Sequence, residues 1–432
     1  MKIALISPQS TFLGNNKKLS EFWSGSEYTK TYRAEWSGLS VALCIIAALT
    51  PMKHEVEIID ENVEEIDFTK HYDLVGITCI TQQATRAYEI ADEWKSRSVK
   101  VVLGGIHVSI LPEEAKNHAD SVVIGEAENI WGQLLTDFEN NRLKNFYKSA
   151  EAADISLSPI PRYDLLKNKN YNLHWIQTTR GCPFDCIFCA ASKVYGYKFR
   201  TKKTDQIIKE IEVIKKLFPD SRISFADDNI FINRKFSKEL FERIIPYNIR
   251  YMAQTDISIA KDDELLKLIK KSGCTFLLMG FESLSEENLE NIDRNNKKQK
   301  YLKLLPEYIK KVQSNGVGIM GSFIIGLKED RSDTFDRITD FVTTNNLYNT
   351  QLSILTPFPG TEIRKELVKE KRILKTKWEN YTGYDVNFVH EHITKEQFEN
   401  GMVKSYRILH SKEFYLQKMM YFKKIHSELM KT

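Results

Sequence analysis

Two series of short apolar segments, separated by helical patterns, limit what this chain can fold into. Near-continuous apolar strands that alternate with helices are typical of a parallel sheet covered on both faces. We therefore expect two parallel sheets in succession and an α/β fold class. The first series has strand candidates at Lys2–Ile6, Glu55–Ile59, Leu74–Thr78, Val99–Leu103 and Ser121–Ile124, and helix candidates at Leu39–Leu49, Thr85–Arg97 and Pro112–Asn117.

The first series predicts a doubly wound, Rossmann-like domain over residues 1–148. Domains of this kind bind ligands in the crevice beyond the carboxyl ends of their strands. The segments at those ends are therefore candidate ligand-binding segments, and they are Ser7–Gln9, Thr78–Thr81, Gly104–His107 and Gly125–Glu128.

The second series predicts a partial (β/α)6 barrel of the TIM type over residues 171–370, after a proline-containing linker over residues 149–170. Six β/α units fit into about 190 residues, whereas a full eight-unit barrel needs about 250. One helix is predicted over Thr204–Leu217, with Thr204 as its N-cap. Residues 371–432 have helical patterns and are expected to cap the barrel. The strand candidates are His174–Arg180, Arg222–Asp227, Arg250–Asp256, Thr275–Glu282, Val317–Gly326 and Thr350–Thr356.

Charge and hydropathy exclude several classes of protein. The chain has 62 basic and 58 acidic residues, mixed along its length, so we expect no nucleic-acid partner. The longest mostly apolar stretch, Leu39–Leu49, is about 11 residues long, and a membrane-spanning helix needs roughly 20. The short apolar run at the N-terminus resembles a first strand more than a signal peptide. We therefore expect a cytoplasmic chain without a membrane span.

Three cysteines within eight residues are the most informative chemical feature. Cys182, Cys186 and Cys189 follow the first barrel strand, at the end where barrel enzymes place their chemistry. A 4Fe–4S cluster normally takes four cysteines, so three would leave one iron open to another ligand. Thiolates at these spacings also suit zinc. Structural zinc needs a fourth ligand nearby, and the next cysteine, Cys274, lies far along the chain in an apolar context.

The Cys-x3-Cys-x2-Cys pattern after the first strand of a six-unit barrel resembles the radical S-adenosylmethionine (SAM) superfamily, and Phe188 before the last cysteine matches too. The resemblance implies that Cys182, Cys186 and Cys189 hold a 4Fe–4S cluster whose open iron binds SAM. It implies that the reduced cluster cleaves SAM and produces a 5′-deoxyadenosyl radical. The electron donor would be a protein such as flavodoxin or ferredoxin.

The same resemblance implies a set of SAM-binding residues at the strand ends. Asp227 and Asp228 would contact the ammonium or hydroxyl groups of SAM, although one of them could instead N-cap the next helix. Glu282 would contact the ribose or the substrate, and the strand with Ile324 and Gly326 would bind the adenine. Arg200 also lies where related sequences have an arginine, with a solvated surface charge as the alternative. Together, the SAM-binding candidates are Phe188, Asp227, Asp228, Glu282, Ile324 and Gly326.

The first domain resembles the cobalamin-binding subclass of that superfamily. The candidate cobalamin-binding residues lie at its strand ends, and they are Gln9, Thr78, Thr81, Gly104, Gly105, His107, Gly125 and Glu126. The Asp-x-His-x-x-Gly motif that supplies a cobalt-ligating histidine elsewhere is absent, which is common in this subclass. Some relatives keep the fold without the cofactor, so the sequence leaves cobalamin binding open.

The connection from Thr11 to Trp36 is long and holds six aromatic residues. Long ordered loops are often functional. This one follows the first strand, so it could be a lid over cobalamin or substrate. The alternative is a packing segment that covers the edge of the sheet.

The resemblance implies a cobalamin-dependent radical SAM enzyme that methylates an unactivated carbon of a small metabolite, lipid or peptide. Radical cyclisation, ring contraction or rearrangement without methyl transfer is the alternative. A non-catalytic regulator that binds a metal or cobalamin is a more remote one. Methylthiolation of tRNA fits poorly, because that group has three further N-terminal cysteines and this chain has only Cys44 and Cys79 before the cluster.

Overall fold

The computed structural model describes residues 1–10, 16–25, 41–167 and 171–431. Its first part is a six-stranded parallel sheet with the strand order β2-β1-β3-β4-β5-β6. The chain places strands on both sides of β1, which confirms the doubly wound architecture. The strands are β1 (Lys2–Ser7), β2 (Glu55–Asp60), β3 (Leu74–Thr78), β4 (Lys100–Gly104), β5 (Ser121–Ile124) and β6 (Phe146–Lys148).

Side chains alternate between the two faces of β1, and an apolar cluster covers each face of the sheet. Ile3 and Leu5 belong to one apolar cluster, and Ala4 and Ile6 to another on the opposite face. The first of these clusters continues into the second sheet, so the two parts of the molecule share a core. The helices described in this part are α1 (Lys17–Gly25), α2 (Val41–Leu49), α3 (Ala84–Ser96), α4 (Ile106–Ile110), α5 (Pro112–Lys116) and α6 (Trp131–Glu139).

The second sheet confirms the partial barrel. Its six parallel strands lie in chain order, β7-β10-β11-β12-β13-β14. The predicted first strand is divided in two, because β8 leaves the sheet and pairs antiparallel with β9. The strands are β7 (Leu173–Ile176), β8 (Thr179–Arg180), β9 (Arg200–Thr201), β10 (Arg222–Phe225), β11 (Tyr251–Thr255), β12 (Cys274–Glu282), β13 (Gly318–Ile325) and β14 (Asn349–Ile354).

Helices follow the barrel strands on the outer face of the sheet. Phe281 on β12 and Phe323 on β13 both contact Phe341 of an outer helix, so residues alternating with them face the interior. The helices are α7 (Ala191–Tyr195), α8 (Thr204–Leu217), α9 (Arg234–Ile244), α10 (Asp263–Lys271), α11 (Glu286–Leu289), α12 (Lys297–Tyr301), α13 (Leu305–Ser314), α14 (Thr334–Thr344), α15 (Glu362–Lys369), α16 (Lys395–Leu409) and α17 (Lys412–Leu429).

One local prediction is wrong. Thr204 is the first residue of α8 and not its N-cap, a position held by Lys203 in extended conformation. The backbone N–H of Lys202 donates to Thr178 O, which keeps the chain extended up to that point. The expected helical character of the C-terminal region is confirmed by α16 and α17. Between α15 and α16 it is irregular, with a short turn at Trp378–Asn380 and a bridge between Ile373 and Phe388.

The predicted lid is only partly described. Residues 11–15 and 26–36 of that connection lie outside the described residues. In the part between them, Trp23 of α1 is buried and packs against Tyr406 and His410 at the C-terminal region. This part of the connection therefore packs on the C-terminal cap. None of the described helices is both long enough and apolar enough to cross a bilayer.

Candidate active site

The carboxyl ends of the two sheets meet at one interface. Helix α4, which follows β4 of the first sheet, contacts helix α7, which follows the cysteine loop. The turn after β14 lies against the same helix, because a Cβ on Gly360 would come within 2.9 Å of Ile110. Ligands of doubly wound sheets and of barrels both bind at carboxyl ends. The fold thus brings two candidate ligand sites face to face.

Cys182, Cys186 and Cys189 lie in the loop between β8 and α7, and none of them forms a disulfide. Burial, with smaller contributions from the charges of Asp228 and Cys189, raises the pKa of Cys182 to about 11. Burial also raises the pKa of Cys186 and of Cys189. The thiols are therefore protonated at neutral pH unless a bound cation stabilises the thiolates.

This donor set fits an iron–sulfur cluster. The three thiols are close enough for the charge of Cys189 to affect both of its neighbours. Soft thiolates in one loop are the ligands that iron–sulfur clusters use. Within the described ranges, no group of three or more His, Cys, Asp or Glu side chains is arranged around a single metal ion.

Asp227 holds the chain that leads into the cysteine loop. Its carboxylate is buried and accepts hydrogen bonds from the backbone N–H and hydroxyl groups of both Thr178 and Thr179. All four donors come from the segment just before Cys182. The carboxylate is therefore already occupied by protein groups.

Asp228 is placed differently from its neighbour. Its side chain is exposed, and its charge acts on Cys182 and Cys189. The alternative in which one of this pair N-caps the next helix is wrong. Helix α9 is capped by Asn233, whose side chain accepts from Phe236 N at 3.1 Å. Asp228 is thus the carboxylate of the pair that is open toward the cysteine loop.

Glu282 is the last residue of β12 and lies beside Lys298, which the sequence did not predict as a site residue. Lys298 Nζ lies 2.9 Å from Glu282 Oε1 and 2.6 Å from Gly280 O. The charge of Lys298 lowers the pKa of Cys186, against the larger effect of burial. Glu282 has a φ of 65°, a strained conformation for a residue with a side chain. Such strain persists where surrounding contacts enforce it, and it clusters at functional sites.

Gly326 follows β13 at a point that requires glycine. Its φ is 106°, and a Cβ would lie 3.1 Å from Phe388 and 3.2 Å from Phe398. Its N–H donates to Asp330 Oδ2 at 2.8 Å, so this N–H already has a partner.

Ile324 is half-buried on the interior face of the same strand. Phe188 is also half-buried and packs against the shared core.

Several polar side chains on the interior face of the barrel have no hydrogen-bond partner among the described residues. Gln254, Ser322, Gln351 and Ser353 are each half-buried and face the interior by alternation from the outward aromatic residues. None of them makes a side-chain hydrogen bond to a residue in the described parts of the chain. Leu278 shares this face. The interior can therefore hold a molecule with both polar and apolar parts.

The cobalamin candidates at β1 and β3 lie at the switch point of the first sheet, where strand order reverses and ligands bind. Gln9 is exposed there, and its N–H donates to Glu61. Thr78 is half-buried, whereas Thr81 is buried. Gln83 Nε2 donates to Pro8 O at 2.7 Å, which ties the two strand ends together.

Gly105 and His107 are packed more closely than the sequence indicates, whereas Gly104 is not. A Cβ on Gly105 would lie 2.6 Å from Cys79 O. Close packing against the end of the neighbouring strand therefore requires glycine at this position. A Cβ on Gly104 would make only an ordinary contact, 3.7 Å from Val123 Cβ. The His107 ring is fully buried and packs edge-on against Trp378, 5.0 Å between centroids. His107 therefore has a packing role here.

The C-terminal region contributes to this edge as well. Trp378 Nε1 donates to Glu114 Oε1 at 2.8 Å, which joins the C-terminal region to helix α5 of the first domain. Arg364 lies over the rings of Trp378 and Tyr381 and donates to the Tyr381 hydroxyl at 3.1 Å.

Gly125 and Glu126 follow β5 and differ in surroundings. A Cβ on Gly125 would meet nothing within 4 Å, and its φ is 82°, so its backbone is open on that side. The Glu126 side chain is only 5% exposed and forms ion pairs with Arg180 at 2.7 Å and Arg200 at 2.8 Å. Arg180 also pairs with Glu128 at 2.7 Å. This carboxylate–arginine network joins the first sheet to both short strands that flank the cysteine loop.

Two family models match the chain. The radical SAM superfamily model matches residues 176–342, and the B12 binding domain model matches residues 32–135. Bacteriochlorophyllide d C-8(2)-methyltransferase of Chlorobaculum tepidum is 33% identical, over 85% of this chain and 84% of that protein. The chain belongs to the cobalamin-dependent radical SAM methyltransferases. Membership implies a 4Fe–4S cluster, SAM and cobalamin as cofactors.

Other relatives agree with this family. Bacteriochlorophyllide d C-12(1)-methyltransferase of the same organism is 29% identical, over 87% of this chain and 84% of that protein. Among solved structures, the cobalamin-dependent radical enzyme OxsB with aqua-cobalamin and SAM bound has a TM-score of 0.70 and 14% identity. That match covers 99% of this chain and 72% of the other and supports the same fold. The expected fold class, cofactors and enzyme class are thus confirmed.

Proposed function

We propose that this C-methyltransferase acts on an unactivated carbon of a small molecule that has hydrogen-bonding groups beside its apolar part. The observation that carries this proposal is the barrel interior. There, Gln254, Ser322, Gln351 and Ser353 offer polar groups next to Leu278 that no described residue hydrogen-bonds. A purely hydrocarbon substrate would leave these groups unpaired and desolvated, which costs free energy.

We propose the following roles for the chain's own residues. Cys182, Cys186 and Cys189 hold the cluster. Asp228 and Glu282 lie beside it, where they can accept hydrogen bonds from the amino or hydroxyl groups of SAM. Asp227 positions the cysteine loop through its four hydrogen bonds and does not itself contact SAM.

The remaining SAM candidates have narrower roles in this proposal. Phe188 and Ile324 offer apolar surface, and Gly326 keeps the chain turned after β13. On the cobalamin side, Gln9, Thr78, Gly104 and Gly125 border the crevice. Thr81, Gly105, His107 and Glu126 support its walls, because each is buried or already has close protein contacts.

When bound, the cluster supplies the electron that cleaves SAM, and cobalamin supplies the methyl group. The protein's part is to keep the two ligand sites facing each other and to exclude water between them. The Glu126–Arg180–Arg200 network and the Trp378–Glu114 hydrogen bond serve the first task. Fixing reactants in this way can contribute several kcal/mol to catalysis. We further propose cytoplasmic action, with flavodoxin or ferredoxin as the electron donor.

An isotope experiment tests the proposal. The reconstituted protein is incubated with cobalamin, a reductant, SAM deuterated in its methyl group and a small-molecule extract of cells that express this chain. We expect a small polar molecule to gain the deuterated methyl group, and a Cys186→Ala variant to give none. Release of 5′-deoxyadenosine without any labelled product or S-adenosylhomocysteine would instead favour cyclisation or rearrangement.

A further inference from the structure

Helix α17 presents an apolar strip to solvent. Phe414 and Ile425 are buried against the protein, whereas Leu416, Met419 and Met420 are 42%, 51% and 67% exposed. Successive residues of an α-helix are rotated by about 100°, so these three side chains share the face opposite the buried pair. Contiguous exposed apolar side chains on a helix mark an interaction surface more often than isolated ones do.

Basic side chains predominate around this strip, which also borders the exposed Glu413. Lys412, Lys423 and Lys424 are exposed and form no ion pair with any residue in the described parts of the chain. The helix as a whole has four lysines and two glutamates. Apolar side chains flanked by lysines are the pattern of helices that lie in the surface of a membrane with anionic lipids.

We propose that the outer face of α17, defined by Lys412, Leu416, Met419, Met420 and Lys423, binds the surface of a bilayer that contains anionic phospholipids. The apolar side chains would enter the boundary between headgroups and acyl chains. The long lysine side chains would reach the phosphates at the level of the headgroups. The helix lies on the bilayer and does not cross it, in agreement with its composition.

A second copy of the chain fits this face less well. Three side chains that are about half exposed offer on the order of 300 Å², whereas a stable dimer buries about 800 Å² on each partner. A self-complementary contact would also bring Lys412 of each copy near Lys424 of the other across a twofold axis. An anionic surface neutralises these lysines, and another copy does not.

Vesicle binding of the full-length, reconstituted protein tests this proposal. The probe is sedimentation with phosphatidylcholine vesicles, with or without phosphatidylglycerol. We expect binding only to the vesicles with phosphatidylglycerol, and weaker binding at high salt, because salt screens exposed charges. Replacing Lys412, Lys423 and Lys424 with Gln should weaken binding about fivefold for each lysine.

The apolar strip is tested by Leu416→Gln, Met419→Gln and Met420→Gln together, which should weaken binding about tenfold or more. Met52→Gln is the matched control, because Met52 is fully exposed but lies in the first domain. All these positions are exposed, so the variants should fold, and circular dichroism checks this.

Three results would overturn the proposal. The first is no binding of the unmodified protein to anionic vesicles, and the second is an equal loss of binding in Met52→Gln. The third is a dimer in sedimentation equilibrium that the triple Gln variant abolishes, since that would assign the face to a second copy. The readout does not involve methyl transfer, so its failure would leave the proposed function intact.

Discussion

Removing one carboxylate should separate the two halves of the active site. In Glu126→Ala, Arg200 loses its carboxylate partner and keeps its hydrogen bonds to the carbonyls of Ala153 at 2.7 Å and Tyr195 at 3.1 Å. Arg180 keeps Glu128 at 2.7 Å. Glu126 also accepts from Ala153 N at 2.7 Å, a hydrogen bond that the variant lacks.

The expected cost follows from these contacts. Breaking a buried ion pair by removing one partner costs about 3–5 kcal/mol, because the remaining charge stays buried. Since Arg180 is still paired, we expect the lower end, about 3 kcal/mol. The measurement is the urea midpoint of unfolding, followed by tryptophan fluorescence. The double variant Glu126→Ala/Arg200→Ala should be less unstable than the sum of the single variants, because the two side chains interact directly.

Glu93→Ala is the matched control. Glu93 pairs with Arg97 at 2.6 Å on the surface of α3, with both side chains exposed, and such pairs contribute about 0.5 kcal/mol or less. A Glu126→Ala shift no larger than the Glu93→Ala shift would refute the role of the network. Formation of 5′-deoxyadenosine should fall in Glu126→Ala as well, since β8 and β9 position the cysteine loop.

Four further predictions follow from single side chains. Asp227→Asn should lower stability by about 2–3 kcal/mol in urea unfolding, because backbone N–H donors of Thr178 and Thr179 lose an anionic acceptor. Asp228→Asn should leave the urea midpoint unchanged and weaken SAM binding in calorimetry; equal effects of the two variants would contradict the assignment. Lys298→Met should destabilise the protein by about 3 kcal/mol, because Glu282 then loses its cationic partner, and Lys298→Arg should recover part of this. Burial lowers the pKa of His174 to about 4, so its stabilising effect is complete above about pH 6.5 and is lost as the pH falls. The loss at pH 5 should be about 2 kcal/mol and should disappear in His174→Gln; an unchanged pH dependence in that variant would show that other groups cause it.

The sequence predicted the two sheets because their strands are apolar runs whose pattern needs no tertiary information. The strands predicted at Leu74–Thr78 and Ser121–Ile124 begin and end at the same residues in the structure. The short strand β6 and the helix α6 were missed. With three residues, β6 has too little pattern to predict, and it forms because β5 offers an edge to pair with.

The candidate site was predictable only where the chemistry lies within one short segment. The cysteine loop is such a segment, and its three thiols are close together in the fold. Lys298 could not be distinguished from the other lysines of its segment, because its role depends on its contacts with Gly280 and Glu282 at the end of β12. Glu126 was expected beside cobalamin, and its two arginine partners lie more than fifty residues away in the sequence. The assignment of Glu126 to cobalamin binding stays a prediction. Its ion pairs give it a further role, which is to position the two strands beside the cysteine loop.

The most direct test of the central claim is the ratio of two products in one reaction. The protein is reconstituted without oxygen with iron, sulfide and cobalamin, and is given SAM, a reductant and its acceptor. 5′-Deoxyadenosine and S-adenosylhomocysteine are then quantified together. A methyltransferase that uses one SAM for the radical and another for the methyl group should release them in equal amounts, and Cys186→Ala should release neither. Release of 5′-deoxyadenosine without S-adenosylhomocysteine, or S-adenosylhomocysteine that persists in Cys186→Ala, would contradict the account.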